Sequence, residues 1–345
     1  MTNNQATTDE VVPFTTGDGR PANVVHVLGE HPPTRGPVLL VHGAGVRANI
    51  FRAPIDATLV DALLAEGYDV WLENWRASID LHPMQWTLDQ AAVYDHPAAV
   101  EVVAERTGSD TVQAVIHCQG STSFMMAAVA GLLPRVNTIV SNAVSLHPRV
   151  PELARWKLEY LHRPMQTITR YLDPQWGLES PDAIASAVVT YVRAVHHECH
   201  NIVCRMASFT YGVGKPTLWS HQLLNDATHD WLTAEFGAVP LTFFNQMSRC
   251  VREGQLVAVD GLPQLPARFA DEPPLTDARI VLIAGEKNLC FTPESQQLTF
   301  EYLERHGRST YGLHIIPRYG HLDIFMGKDA ARDVFPTILD ALRGG

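Results

Sequence analysis

Short runs of apolar, often β-branched residues alternate along this chain with longer segments whose apolar residues recur at helical spacing. The short runs lie at residues 23–28, 38–41, 68–72, 112–116, 138–141, 279–285 and 311–317. The helical patterns lie at residues 55–67, 89–107, 294–306 and 330–342. Strands and helices that alternate at these lengths are typical of βαβ units. We therefore predict an α/β fold with a doubly wound, mostly parallel sheet.

The alternation stops between residues 149 and 274. This segment is rich in Trp, His, Met and Phe, is mostly helical in pattern and lacks clear buried strands. We predict that it is a helical cap (lid) inserted into an α/β core formed by residues 1–148 and 275–345. We also expect this cap to cover the functional site and to supply an apolar wall.

Composition narrows the class of protein. With 46% hydrophobic and 18% charged residues, the 345-residue chain resembles an ordinary globular enzyme. A net charge of −11 argues against nucleic acid as a partner, because its phosphates would be repelled. The polar start predicts neither a secretory signal nor regular structure, and no apolar stretch reaches the roughly 18 residues of a membrane span. We expect a cytoplasmic protein with reduced thiols, because its five cysteines lack framework spacing.

The run at 112–116 ends in a sharp turn that leads directly into a helical pattern. The turn reads Ile116-His117-Cys118-Gln119-Gly120, which matches G-x-S-x-G except that cysteine replaces the serine and isoleucine the first glycine. Strand, sharp turn and helix form the layout of a nucleophile elbow. The alternative is a buried strand and a core helix with an inert cysteine.

Two further candidates follow later strands. Asn288 comes after the run at 279–285, and His321 comes between the last strand and the last helix. The order Cys118, Asn288, His321 is that of nucleophile, orienting residue and histidine in α/β-hydrolases. A helix N-terminus favours the thiolate, and an amide can orient the imidazole. We predict a Cys-His-Asn triad, with the nearby carboxylates of Glu286 and Asp323 as alternatives to the asparagine.

Loops after two earlier strands supply the remaining candidates. The sequence His42-Gly43-Ala44-Gly45 follows a buried strand, where a backbone donor of an oxyanion hole is expected. The N–H of Gln119, together with that of Ala44 or Gly45, would complete this hole. The candidate substrate contacts at the mouth of the site are Trp71, Trp75, Arg76 and His42, of which Trp71, Trp75 and Arg76 are equally consistent with the core.

A group of histidines lies within the predicted cap. His196 and His200, with Cys204, invite a metal interpretation if the two histidines share one helix face. The stretch is not H-E-x-x-H, and the sequence shows no further ligand cluster. We therefore expect packed histidines here and no metal site.

The chain resembles the α/β-hydrolase superfamily over essentially its whole length, and most of all the hydrolase-like domain of cholesterol-oxidase-type flavoproteins. The resemblance rests on His117-Cys118-Gln119-Gly120-Ser121, Leu146-His147-Pro148, Gly285-Glu286-Lys287-Asn288-Leu289-Cys290-Phe291 and Tyr319-Gly320-His321-Leu322-Asp323. The stretches Gly67-Tyr68-Asp69-Val70-Trp71-Leu72 and His321-Leu322-Asp323 are similar to acid lipases. No G-x-G-x-x-G follows the first strand, so the resemblance implies no flavin, and we expect no cofactor.

These observations predict a hydrolase or acyltransferase with a cysteine nucleophile. Its substrate would be an apolar ester, lactone or thioester, free or carrier-bound, that forms an acyl-enzyme. A lyase or cyclase that uses the same pocket is one alternative. A non-catalytic, ligand-binding relative with an inert Cys118 is another, and the sequence does not determine the oligomeric state.

Overall fold

The computed structural model describes residues 7–160, 162–213 and 216–344. The strands in these ranges are β1 (Thr8–Thr15), β2 (Pro21–Leu28), β3 (Pro37–Val41), β4 (Asp69–Asn74), β5 (Val112–His117), β6 (Val136–Asn142), β7 (Tyr171–Leu172), β8 (Val239–Pro240), β9 (Arg279–Gly285) and β10 (Tyr311–Ile316). Strands β7 and β8 form a separate pair, and the other strands form one sheet in the order β1-β2-β4-β3-β5-β6-β9-β10.

The α-helices connect and cover these strands. They are α1 (Leu59–Ala65), α2 (Leu88–Gln90), α3 (His96–Thr107), α4 (Cys118–Val129), α5 (Glu152–Tyr160), α6 (His162–Gln166), α7 (Ala183–Val195), α8 (Ile202–Tyr211), α9 (Asp226–Trp231), α10 (Leu241–Glu253), α11 (Glu294–His306), α12 (Asp323–Met326), α13 (Ala330–Asp333) and α14 (Phe335–Arg343). A π-helical turn, Ala91–Asp95, joins α2 to α3. Among the residues that the structure describes, no helix combines the length and hydrophobicity needed to cross a bilayer.

The predicted doubly wound, mostly parallel sheet is confirmed. The pairs from β4 to β10 in the sheet order are all parallel, whereas β1–β2 and β2–β4 are antiparallel. The carboxyl ends of parallel strands meet at one edge of such a sheet, where the following loops form binding sites. The loops after β3, β5, β9 and β10 therefore converge at that edge.

The start of the chain differs from the expectation of no regular structure. Strand β1 pairs with β2 over its whole length, from Thr8 opposite Leu28 to Thr15 opposite Pro21. Only Val12 of this strand is fully buried, so the sequence carries no clear alternation there. Pairing with a neighbouring strand, rather than burial, accounts for the strand. The first six residues lie outside the described part of the chain.

Pattern alone also misplaced the last helix, which was predicted as one element over 330–342. The structure has α13 and α14 instead, separated at Val334. Pro336 lies in the first turn of α14, where its missing N–H is tolerated, whereas inside a continuous helix it would remove a hydrogen bond.

Residues 149–274, which we call the inserted segment, carry α5 to α10 and the β7–β8 pair. The described part of this segment adds no strand to the main sheet. It is hydrogen-bonded to loops at the carboxyl edge of that sheet. The Tyr211 hydroxyl donates to the Ala44 carbonyl at 2.7 Å, and the Leu322 N–H donates to the Leu218 carbonyl at 2.7 Å.

Arg76, a predicted substrate contact, instead lies in a buried ion pair. Its Nη2 is 2.5 Å from Asp95 Oδ1 and 3.0 Å from Asp18 Oδ1, and its backbone N–H donates to Asp95 Oδ2. Asp95 is fully buried and Arg76 is 4% exposed. Because Asp95 and Asp18 hold the guanidinium, Arg76 joins the loop after β4 to the start of α3. The structure thus gives it a packing role, the alternative that the sequence equally allowed.

We expect Arg76→Ala to destabilise the fold by about 3–5 kcal/mol, because it leaves the Asp95 carboxylate buried without a partner. The matched control is Arg135→Ala, since Arg135 pairs with Glu101 at 2.8 Å near the surface. That change should cost about 1 kcal/mol or less. Urea unfolding measures both, and equal midpoints for the two variants would contradict the assignment.

Candidate active site

Cys118 lies at the junction of β5 and α4 with a φ of 56°, in the left-handed region. Non-glycine residues rarely adopt this conformation, and such strain is the mark of a nucleophile elbow. Gly120 makes the tight turn possible, because a Cβ there would lie 2.2 Å from the His42 carbonyl oxygen. A Cβ at Gly43 would lie 2.9 Å from the Cβ of Cys118. Both glycines therefore allow the loop after β3 to approach the thiol.

The structure brings Cys118, His321 and Asn288 together, and all three are buried. A ring nitrogen of His321 lies within 4.8 Å of Cys118 Sγ, and the two side chains are hydrogen-bonded. The amide nitrogen Nδ2 of Asn288 lies 3.1 Å from Nδ1 of His321. The three side chains come from the loops after β5, β10 and β9, which the parallel sheet places at one edge.

The orientation of the Asn288 amide follows from its other hydrogen bonds. Its Oδ1 accepts the backbone N–H groups of Cys290 and Phe291, each at 3.0 Å. With Oδ1 held by two donors, the amide nitrogen is the atom that faces Nδ1 of His321. This contact orients the ring and leaves Nε2 as the nitrogen available to Cys118.

The carboxylates considered as alternatives to Asn288 have other partners. Asp323 accepts the N–H of Gly320 at 2.7 Å and that of Ser220 at 3.1 Å. Burial raises the pKa of Asp323 to about 6. Glu286 accepts the N–H of Arg318 at 3.1 Å near the surface. Among these three candidates, Asn288 is the residue in contact with His321 Nδ1.

The surroundings of Cys118 favour its thiolate. Burial alone would raise the pKa of this thiol. Hydrogen bonds with Cys290 and His321, the charge interaction with His321 and the N–H of Gln119 together lower the pKa by more than burial raises it. The resulting pKa is about 5. The Cys290 thiol remains protonated and donates, because its contact with Cys118 and its burial raise its pKa well above the ordinary value. These contacts therefore favour the thiolate of Cys118 in the folded protein.

Two backbone N–H groups, those of Gln119 and Ala44, are the candidates for contact with a developing oxyanion. Gln119 lies in the first turn of α4, where its N–H has no carbonyl partner within the helix and contacts Cys118. Ala44 follows the His42-Gly43 turn, and its carbonyl is held by Tyr211. The N–H of Gly45 donates to the Ala77 carbonyl at 3.2 Å, so Ala44 is the better placed of the two predicted alternatives.

Histidines flank the site on the side of the sheet. His42, predicted to contact substrate, is buried with Nδ1 2.7 Å from the Gly43 carbonyl oxygen, and burial lowers its pKa to about 3. His117, which the sequence did not single out, has its ring centroid 4.6 Å from that of His321. Asn142 Nδ2 lies 2.9 Å from His117 Nδ1, and burial holds the pKa of His117 well below its usual range. Both rings are neutral, and the contacts of His42 place it in the core.

Trp71 and Trp75 also belong to the core and not to the substrate cavity. Trp71 stacks on the side chain of His26, its cross-strand partner on β2, with ring centroids 4.0 Å apart. Trp75 is fully buried, donates from Nε1 to the His42 carbonyl at 3.0 Å, and packs against Trp86. The structure therefore places both side chains in the core, which is the alternative that the sequence equally allowed for them.

A narrow apolar cavity lies between the inserted segment and the loops that carry the site. Its lining includes Gln119, Cys290 and Phe291 from the loops, and Phe209, Tyr211, Leu241, Phe243, Phe244 and Met247 from the inserted segment. Lys157 also lines it, with Nζ donating to the carbonyls of Phe209 and Gly212. Burial of the ammonium group lowers the pKa of Lys157 to about 7. No sequence pattern indicated this lysine, because α5 reads as an ordinary exposed helix.

Cysteine and histidine side chains meet at two places in the described part of the chain in positions compatible with a metal ion. One group is His117, Cys118 and His321, and the other is Cys199, Cys204, His221 and His229 in the inserted segment. The first group is the proposed catalytic centre, where Nδ1 of His117 and of His321 each lies beside an asparagine amide nitrogen, at 2.9 and 3.1 Å.

Comparison with known proteins connects this geometry to enzymes. No protein-family model matches the chain. It is 23% identical over 329 residues to human lipase member K, which covers 88% of this chain and 78% of the lipase. A region of 167 residues is 27% identical to the poly(3-hydroxyalkanoate) polymerase subunit PhaC of Haloferax mediterranei, covering 46% of this chain and 33% of that subunit. A carboxyl esterase from Bacillus coagulans superposes with a TM-score of 0.61 at 14% identity, over 98% of this chain and 99% of the esterase.

We expect alkylation of Cys118 by iodoacetamide to reach half its maximal rate near pH 5, because that is where the thiolate forms. A free thiol would show this midpoint at about pH 8.5. Removing the imidazole in His321→Ala should move the midpoint upward. Peptide mass spectrometry reports each cysteine separately, and Cys250, whose pKa burial raises to about 12, serves as the unreactive control. A midpoint for Cys118 near that of a free thiol would contradict this account.

Substitutions of Asn288 should separate its orienting role from a packing role. Asn288→Ala frees the ring and should slow acylation of Cys118 by about tenfold or more. Asn288→Asp offers an acceptor to Nδ1–H, so the imidazolium persists to higher pH and the alkaline limb of the rate profile should move upward. Asn137→Asp, on β6 and bonded to Thr111, is the matched control. An unchanged pH–rate profile in Asn288→Asp, with full activity in Asn288→Ala, would show that another residue orients His321.

Proposed function

This chain belongs to the α/β-hydrolase superfamily, and we propose that it is a hydrolase or acyltransferase in which Cys118 carries the acyl group. The observation that supports this most directly is the contact of a low-pKa thiol at the strained elbow with His321. An inert structural cysteine needs neither the left-handed backbone nor a histidine oriented by Asn288. The predicted Cys-His-Asn triad is retained in the proposal.

The acylation step follows from the positions of these groups. The Cys118 thiolate attacks the carbonyl carbon, and the N–H groups of Gln119 and Ala44 hydrogen-bond to the oxyanion of the tetrahedral intermediate. As the intermediate collapses, the bond to the leaving group breaks and the departing alkoxide or thiolate takes a proton from Nε2 of the His321 imidazolium, which becomes a neutral imidazole. The products are a thioester at Cys118 and a free alcohol or thiol.

Deacylation runs the same groups in reverse. With its Nε2 deprotonated, His321 accepts a proton from water or from an acceptor alcohol, thiol or amine that attacks the thioester carbonyl. The Cys118 thiolate then leaves, and His321 holds the proton on Nε2 again. Water as acceptor gives hydrolysis, and another nucleophile gives acyl transfer.

The cavity supports an apolar acyl group as substrate. Its aromatic and aliphatic lining comes largely from the inserted segment, so we propose that residues 149–274 act as the predicted cap. Two relatives support hydrolysis and acyl transfer respectively: one is named as a lipase, and the other as a poly(3-hydroxyalkanoate) polymerase subunit. A thioester substrate suits the thiolate particularly well, because thiol exchange conserves the bond type.

We expect incubation with a panel of activated medium-chain esters and thioesters to add one acyl group to the protein at Cys118. Intact-mass and peptide mass spectrometry measure the adduct and its position. Cys118→Ala should abolish it, whereas Cys250→Ala, a buried cysteine away from the cavity, should leave it unchanged. A spectrophotometric burst of one equivalent should accompany acylation.

The same experiment discriminates the alternatives. Tight binding of the apolar substrate with no adduct and no turnover would favour the non-catalytic binding protein. Turnover without an adduct in both the native chain and Cys118→Ala would exclude an acyl-enzyme and favour a lyase or cyclase. Adding a primary amine or alcohol to a preformed adduct distinguishes transfer from hydrolysis by the product released.

A further inference from the structure

Two cysteines and two histidines of the inserted segment meet outside the proposed catalytic centre. Cys199 lies in the loop before α8 and Cys204 in the first turn of that helix, whereas His221 lies in a short 3₁₀ turn and His229 in α9. We call these four residues the Cys-His cluster. The candidate ligand atoms of its four members all lie within 4.8 Å of one another. None of them lines the apolar cavity.

The distances within the cluster match a tetrahedral zinc ion. His221 Nε2 lies 3.2 Å from His229 Nε2 and 3.5 Å from Cys204 Sγ. Zinc bonds of about 2.0–2.1 Å to nitrogen and about 2.3 Å to sulfur imply ligand separations of about 3.3 Å for N···N and about 3.6 Å for S···N in a tetrahedron. Two imidazoles that direct the same ring nitrogen at each other and at a thiol therefore have the spacing of metal ligands.

The backbone around the cluster is held by its own hydrogen bonds. Asn201 Oδ1 accepts the N–H groups of Val203 and Cys204, which begins α8 at the second cysteine. Asn201 Nδ2 donates to the Thr233 hydroxyl at 2.8 Å and lies 3.4 Å from the His229 carbonyl oxygen. Arg205 Nε donates to the Cys199 carbonyl. One asparagine thus connects the segment of the cysteines to that of His229.

We propose that the Cys-His cluster is a structural zinc site of the Cys₂His₂ type. Binding of Zn²⁺ forms two Zn–S and two Zn–N bonds and releases the two thiol protons to solvent. Two thiolates balance the charge of the cation, and two neutral imidazoles complete the coordination, so a closed and net neutral site results. Four protein ligands leave no position for a substrate, which is typical of structural and not catalytic zinc.

The position of the proposed zinc site indicates which part of the protein zinc binding would stabilise. The loop that leads to His221 is bonded to the loop of the proposed catalytic histidine, with Leu322 N–H donating to Leu218 and Ser220 N–H donating to Asp323 Oδ2. A metal ion that joins His221 and His229 to the start of α8 fixes this loop from the other side. The zinc ion would therefore stabilise the inserted segment and, through it, the surroundings of His321.

This assignment replaces the expectation of packed histidines without a metal. Helix α7 ends at Val195, so His196 and His200 do not share a helix face. His196 instead has Nδ1 2.7 Å from Glu198 Oε1 and is buried with it. The sequence places Cys204 near these histidines, but the histidines that the structure brings to it, His221 and His229, lie 17 and 25 positions later in the chain.

The test is the metal content of the full chain after incubation with Zn²⁺ and removal of free metal, measured by mass spectrometry of the elements. We expect one zinc per chain. Cys204→Ser and His229→Ala should lower the content by about tenfold or more. Cys250→Ser and His306→Ala, a buried cysteine and a histidine at the end of α11, are the matched controls and should retain it. Cys118→Ala should retain it too, since it removes a thiol of the other histidine group.

Titration of the unaltered chain with Co²⁺ keeps the test independent of how the variants fold. A tetrahedral site with two thiolates should give intense visible absorption and thiolate-to-cobalt charge transfer, both abolished by one equivalent of Zn²⁺. The proposal is overturned if the native chain stays metal-free and shows no such spectrum. It is also overturned if zinc is lost in Cys118→Ala and kept in Cys204→Ser, or if Cys199 and Cys204 form a disulfide that Zn²⁺ and reductant do not replace.

Discussion

The left-handed backbone at Cys118 is the constraint on which the arrangement of the site depends. It turns the chain from β5 into α4 within one residue and presents the thiol at the carboxyl edge of the sheet. Backbone strain of about 1–3 kcal/mol persists only where the surroundings determine the conformation. Here β5 is flanked by parallel strands on both sides, and every residue of α4 is buried. Gly43 and Gly120 leave the space that this turn requires.

A thiolate in a buried position requires donors, and one side chain organises two of them. Asn288 orients the ring of His321 through its amide nitrogen, and its oxygen accepts the N–H of Cys290, whose thiol donates to Cys118. The amide thus fixes both neighbours of the sulfur.

The inserted segment is hydrogen-bonded to the loops that carry the candidate site. Tyr211 holds the Ala44 carbonyl, next to a proposed oxyanion donor, and Leu218 and Ser220 hold the loop of His321. The Cys-His cluster lies at the far side of that same connection. A metal ion bound by the cluster would therefore also stabilise the geometry of the proposed catalytic site, although none of its four residues lines the cavity.

Local periodicity determined the sheet and most of its helices: the strand at 279–285 and the helix at 294–306 coincide with β9 and α11. It also anticipated that Cys118, Asn288 and His321 meet, because loops after parallel strands share one edge. The structure alone placed the residues whose partners are distant in sequence, which are Trp71, Trp75, Arg76, His42, Gly45, Lys157 and the Cys-His cluster. Periodicity reports which face of an element is buried, whereas the direction of a side chain and the distant group it meets are decided only when the elements pack.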